Sequence, residues 1–155
     1  MSSNNKNPLS KMISSNTIAL NVEVKDWKEA VRISGNLLVN SGSVEARYID
    51  AMIDAVKTLG PYIVIAPGVA LPHARPEDGV IEPCMSLVTL KKPINFGNEF
   101  NDPVKLVVAF GTIDHNGHVK AISKLARIIG DEVKLKNLIN AQKVEQVEKI
   151  ISAPV

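Results

Sequence analysis

The spacing of apolar residues changes along the chain, and each change marks an element. Ile18 to Val24 alternates apolar and polar residues and is rich in branched side chains, which predicts a strand. Asp26 then suits a helix N-cap, and Trp27, Ala30, Val31, Leu37 and Leu38 recur at helical spacing until Gly42. Ser43 or Glu45 opens a second helix, whose stripe is Tyr48, Ile49, Met52, Ile53, Val56 and Leu59; Gly60-Pro61 stops it. Short apolar runs follow at Tyr62–Ala66, at Val69–Leu71 beyond the Pro67-Gly68 break, at Met85–Leu90 and at Val104–Thr112. His73–Pro83 is a polar loop and Lys91–Asn101 a turn-rich connection. The run Val104–Thr112 is hydrophobic on both faces, which predicts a central place in a sheet. Helical spacing returns over His118–Ile129, Glu132–Asn140 and Val144–Ser152, and a short helix starts near Pro8.

Strands interleaved with helices predict an α/β fold: one domain over residues 9–155, a mixed β-sheet flanked by helices. Residues 1–8 are polar and read as a flexible tail.

Composition narrows the function classes. With 155 residues, 45% of them hydrophobic, the chain can bury enough surface to offset its conformational entropy, which excludes a disordered protein. No apolar run approaches the roughly 18 residues of a membrane span, so direct membrane insertion is not expected. The net charge of +2 is spread along the chain and aromatics are only 4%, which argues against a nucleic-acid surface. A lone cysteine, Cys84, and an N-terminus without an apolar signal core predict a cytoplasmic protein. Cys84 itself reads as a small buried or half-buried residue and not as a nucleophile.

The chemistry centres on three histidines, His73, His115 and His118. His73 lies where a strand-like piece runs through Pro72 into a loop, and strand ends are where α/β sheets form their crevices. Arg75, two residues on, can hold an anion or pair with Glu77 or Asp78. Those two carboxylates are adjacent, so they diverge and do not form an acid–base pair. His118 opens a helix just after the most apolar strand, where free N–H groups favour phosphate. An imidazole is in part unprotonated near neutral pH, so it can be a nucleophile. Phosphoryl transfer needs such a nucleophile in line, with positive or N–H groups around the phosphoryl oxygens. A metal site using His73, His115 and His118 is the competing chemistry, although no carboxylate or thiol is assembled with them.

The segment Gly68-Val69-Ala70-Leu71-Pro72-His73-Ala74 resembles the phosphorylation site of the mannitol/fructose-type enzyme IIA domains of the bacterial sugar phosphotransferase system. Tyr48-Ile49-Asp50-Ala51-Met52 is similar to that family's Tyr-x-x-Ala-Met helix, His118-Val119-Lys120-Ala121-Ile122 to its second-histidine helix, and Pro93-Ile94-Asn95-Phe96-Gly97 to the turn before its central strand. The wording from Leu59 to Gly68 and from His73 to Val80 most resembles the L-ascorbate-type IIA proteins. The likeness runs over about residues 18–152.

This resemblance implies that His73 accepts a phosphoryl group from phospho-HPr and passes it to a cysteine of a cognate IIB protein, itself linked to a membrane IIC component. His118 would be the accessory histidine, and no metal or organic cofactor is implied. A regulatory, nitrogen-type relative acting by phosphorylation-dependent protein binding is the alternative output of the same chemistry. Mannitol-type relatives carry an arginine near the end of the Tyr-x-x-Ala-Met helix; here that position is Ala55. The phosphate's cation would then be Arg75, with Arg47 behind it. An apolar rim of Val69, Leu71 and Val80 is expected to receive partner proteins.

Overall fold

The computed structural model describes residues 8–113 and 115–154, the side chains of 115–118 excepted. The tail expected over residues 1–8 thus falls outside the described residues except for Pro8, which begins α1 (Pro8–Met12).

The chain then forms β1 (Ile18–Val22), α2 (Trp27–Asn40), α3 (Arg47–Leu59), β2 (Val64–Ala66), β3 (Val69–Ala70), β4 (Cys84–Met85), β5 (Leu87–Ile94), β6 (Val104–Val107), β7 (Phe110–Gly111), α4 (His115–Ile129), α5 (Glu132–Ile139) and α6 (Val144–Ser152). Five strands make one mixed sheet in the order β1-β5-β6-β3-β2, and β4 pairs with β7 separately. β1 runs parallel to β5 and β3 parallel to β6; the β5–β6 and β2–β3 pairs are antiparallel. This is the α/β, mixed-sheet architecture expected from the pattern.

β6 occupies the centre with a different core on each face, which explains its doubly apolar sequence. Val104 and Val107 enter a core beneath α2 and α3, together with Leu38, Tyr48, Met52 and Val88. Leu106 points to the other face, into a core with Leu9, Leu87, Leu125, Leu138 and Ile151 from α1, β5, α4, α5 and α6. Each such side chain stabilises the fold by about 1.5–3 kcal/mol through burial. Helices α2 and α3 touch closely at Gly35, where a Cβ would lie 2.7 Å from Ile49 Cγ1.

Several boundaries differ from the expectation. The run Val104–Thr112 divides, because after Val107 the chain leaves β5 and Phe110 pairs with Met85 of β4. β5 continues through Lys91–Ile94, read above as connection; its outer end is exposed, so its polar residues face water. β1 stops at Val22, after Asn21 takes a left-handed φ of 54° and donates its N–H to Thr89 Oγ1. Neither Ser43 nor Glu45 caps α3 by its side chain, since the N-cap position is Ala46. Asp26 does cap α2, accepting the Glu29 N–H at 2.9 Å.

Candidate functional site

β3 carries the chain past Ala70 to Leu71, Pro72 and His73, at the end of the central strands. The backbone turns there so that His73 Nδ1 lies 2.8 Å from the carbonyl oxygen of Leu71. A carbonyl only accepts, so Nδ1 carries the proton, and in the neutral ring Nε2 is then the nitrogen with the lone pair. The imidazole lies half-buried. It stacks on Phe110 of β7 at 4.7 Å with 19° between the planes, and Tyr62 meets it edge-on at 5.8 Å. Two rings thus fix its pitch.

Beside it opens a cleft of about 620 Å³, lined by His73, Arg75, Asp54, Ala55, Thr58 and Tyr62 among others. α3 forms one wall. Arg75 reaches this cleft and is 77% exposed; its Nε lies 3.7 Å from Asp78 Oδ2, and the same carboxylate accepts the Arg75 N–H at 3.0 Å. Arg75 therefore lines the cleft and pairs with Asp78 at the same time. Solvent screens so exposed a pair, so a guanidinium held this way remains available to a stronger anion.

The phosphotransferase-system EIIA 2 model, described as "Phosphoenolpyruvate-dependent sugar phosphotransferase system, EIIA 2", matches residues 11–153. The chain belongs to that family. It is 42% identical over 137 residues to the ascorbate-specific EIIA component of Salmonella typhimurium, covering 88% of this chain and 89% of that one. The mannitol-specific cryptic enzyme IIA of Escherichia coli superposes with a TM-score of 0.83 at 36% identity, over 94% and 98% of the two chains. Enzyme IIA for mannitol of the same organism, solved in complex with phosphorylated enzyme IIB, superposes with a TM-score of 0.79 at 26% identity, over 90% and 98%. This EIIA chain is therefore a phosphotransferase component of a sugar-transport system. Among the described residues no helix is long and apolar enough to cross a membrane.

Within the EIIA site, Ala55, the position at which the resemblance implied an arginine in mannitol-type relatives, lines the same cleft as His73 and presents only a methyl group. Arg47 does not compensate. Its Nε pairs with Glu45 at 2.6 Å and its guanidinium donates to the Glu77 carbonyl at 3.0 Å, away from the cleft lining. His118 falls in the first turns of α4, which begins three residues earlier than expected, at His115. The side chains of both histidines lie outside the described residues, and with them the three-histidine metal alternative.

The expected docking rim is corrected. Val69 is fully buried and Leu71 nearly so, because both pack into the core beneath α1, α4, α5 and α6; Val80 is half-buried against Gly111. The apolar surface that does border the cleft is Leu59 and Tyr62, which are 69% and 44% exposed.

Sequence reasoning missed three aromatic residues of the site. Phe110 belongs to the most apolar run, where nothing distinguishes a ring that carries an imidazole from ordinary core. Tyr62 was read as strand. Tyr48 was read as one position of a helical stripe, yet its hydroxyl accepts the Ala74 N–H at 2.9 Å and donates to the Phe110 carbonyl at 2.8 Å.

Cys84 is buried, and the loss of solvent pushes its thiol up to about 12. At pH 8 almost none of it is thiolate, the form that reacts. Native protein is expected to resist a thiol-alkylating reagent at that pH and to react fully once denatured. Rapid labelling of the native chain would contradict this placement.

Proposed function

We propose that this EIIA chain carries a phosphoryl group on Nε2 of His73, taking it from phospho-HPr and passing it to a cysteine of a cognate IIB protein. The observation that carries the reading is the Nδ1 contact with Leu71 O, which leaves Nε2 as the nucleophilic nitrogen of a ring fixed at the mouth of a cleft. The Nε2 lone pair attacks phosphorus, an N–P bond forms, and the bond from phosphorus to the donor breaks. Nδ1 keeps its proton on the Leu71 carbonyl throughout, so no proton need leave the ring before attack. Onward transfer runs the same step in reverse with a thiolate as the acceptor. A IIB acceptor is supported by the solved complex of the mannitol relative.

The system served is proposed to be of the L-ascorbate type, on the 42% identity to relatives so named. Location in the cytoplasm follows from this role. Arg75 is the proposed cationic partner of the phosphoryl oxygens, leaving Asp78 to meet them, and His118 is the proposed accessory histidine.

Incubation with phosphoenolpyruvate, enzyme I and HPr tests the reading. Mass spectrometry is expected to find one added phosphate, which IIB of an ascorbate-type system then removes faster than IIB of a mannitol-type system. Absence of added phosphate would overturn the carrier role; equal discharge to both acceptors would overturn the sugar assignment. His118→Ala and Arg75→Ala are each expected to fold normally and to slow transfer by about tenfold or more, as loss of an oriented group does. Wild-type rates in either variant would remove that residue from the mechanism.

A further inference from the structure

The ladder between β3 and β6 continues past its last paired residues. Val108 N–H donates to the Ala70 carbonyl at 2.9 Å, and Phe110 N–H to the Pro72 carbonyl at 3.1 Å. A parallel ladder sends evenly spaced bonds in both directions. The matching returns would run from residue 72 to Val108 O and from Ala74 N–H to Phe110 O. The first cannot form, because Pro72 has no N–H. In the second, a hydroxyl stands between donor and acceptor. Tyr48 accepts the Ala74 N–H at 2.9 Å and donates to Phe110 O at 2.8 Å; Ala74 O, at 3.3 Å, is its more distant neighbour.

Two hydrogen bonds in series thus replace one of about 2.9 Å. The two chains part by the width of an oxygen at the residue between Pro72 and Ala74, which is His73. At that opening the imidazole lies flat on the Phe110 ring. Tyr48 is fully buried at the start of α3, and burial pushes its hydroxyl upward from the usual phenol range, so it keeps the proton it donates at every pH the protein meets.

We infer that Tyr48 is a positioning residue for His73: its hydroxyl wedges the end of the β3–β6 ladder open and so sets the seat and pitch of the imidazole. The inference rests on the reading of His73 as the phosphoryl acceptor. Without the hydroxyl, Ala74 N–H and Phe110 C=O must either close on each other, drawing the ring off Phe110, or stay unpaired in the core. Either outcome disturbs an in-line attack, which is sensitive to displacements of about 1 Å.

Tyr48→Phe keeps the ring and deletes only the wedge. The variant is expected to fold, to take phosphate from phospho-HPr with kcat lowered about ten- to a hundredfold, and to leave KM for phospho-HPr little changed. Its His73 ¹⁵N signals are expected to lose the single Nδ1–H tautomer of the wild type. A lowered melting temperature with unchanged kcat and unchanged His73 signals would make Tyr48 merely structural and overturn the inference. If wild type itself takes no phosphate, the acceptor reading falls, and the His73 signals alone decide the wedge. If Tyr48→Phe fails to fold, the wild type decides: the Tyr48 hydroxyl proton is expected to exchange slowly and to show a nuclear Overhauser contact with the Ala74 N–H. Its absence would overturn the wedge.

Discussion

His73→Gln is expected to abolish phosphate uptake, a loss of at least about 10⁴-fold, the scale on which deletion of a nucleophile acts. Glutamine keeps much of the volume on the Phe110 ring and retains a polar end, but its carboxamide nitrogen has no lone pair to offer phosphorus. The ring is half-buried at a strand end and glutamine fills much of its place, so the melting temperature should change little. Together these separate loss of the nucleophile from loss of the fold. The same assay settles the ring position: phosphorus–nitrogen couplings in the labelled wild type should place phosphate on Nε2, because Nδ1 is occupied by its proton and Leu71 O. Phosphate on Nδ1 would overturn the tautomer argument. Residual phosphate on His73→Gln at the wild-type level would overturn the site.

The sheet was legible wherever one rule governed a stretch of chain. β6 reads as central because both of its faces are apolar, and the structure puts it between β5 and β3 with a different core on each side. Asp26 reads as a cap because a carboxylate before an apolar period has few other uses. His73 reads as a strand-end residue because Pro72 breaks the ladder. Local rules failed where distant segments compete. The split of β6 from β7 depends on which neighbour, β5 or β4, pairs with residues 107 and 110, and no local pattern encodes that choice. The rim of Val69 and Leu71 failed for the same reason: exposure of a strand is decided by the helices that cover its faces, here α1, α4 and α5 over Val69 and Leu71. The role of Tyr48 depends on a hydroxyl placed between residues 74 and 110, and an apolar stripe is silent about what the end of a ring touches.

Asp102→Ala is expected to produce the largest loss of stability among the loop substitutions, about 2–4 kcal/mol, from removing a carboxylate that pairs several backbone donors. Asp102 accepts the N–H groups of Phe96, Gly97 and Asn98 at 2.7–3.0 Å and so ties the turn after β5 into a knot. The knot holds more than itself. Asn98 Nδ2 donates to the carbonyls of Pro61 and Val64, Asn101 Nδ2 donates to Val64 O at 2.9 Å, and Gly68 N–H donates to Asn101 O at 2.9 Å. These bonds fasten the loop to the segment on either side of Tyr62, the residue that meets His73 edge-on. Phe100, 86% exposed at the tip of the same loop, adds almost no burial to oppose the loss. For a domain of this size the melting temperature should fall by about 5–10 °C. Because Tyr62 loses its support, phosphate uptake from phospho-HPr should also slow by a few-fold while His73 remains the only acceptor. A melting temperature within about 1 °C of wild type would show that water replaces the carboxylate at those three donors without cost. A lowered melting temperature with an unchanged rate would show that the loop stabilises the sheet edge and has no hold on the ring of Tyr62.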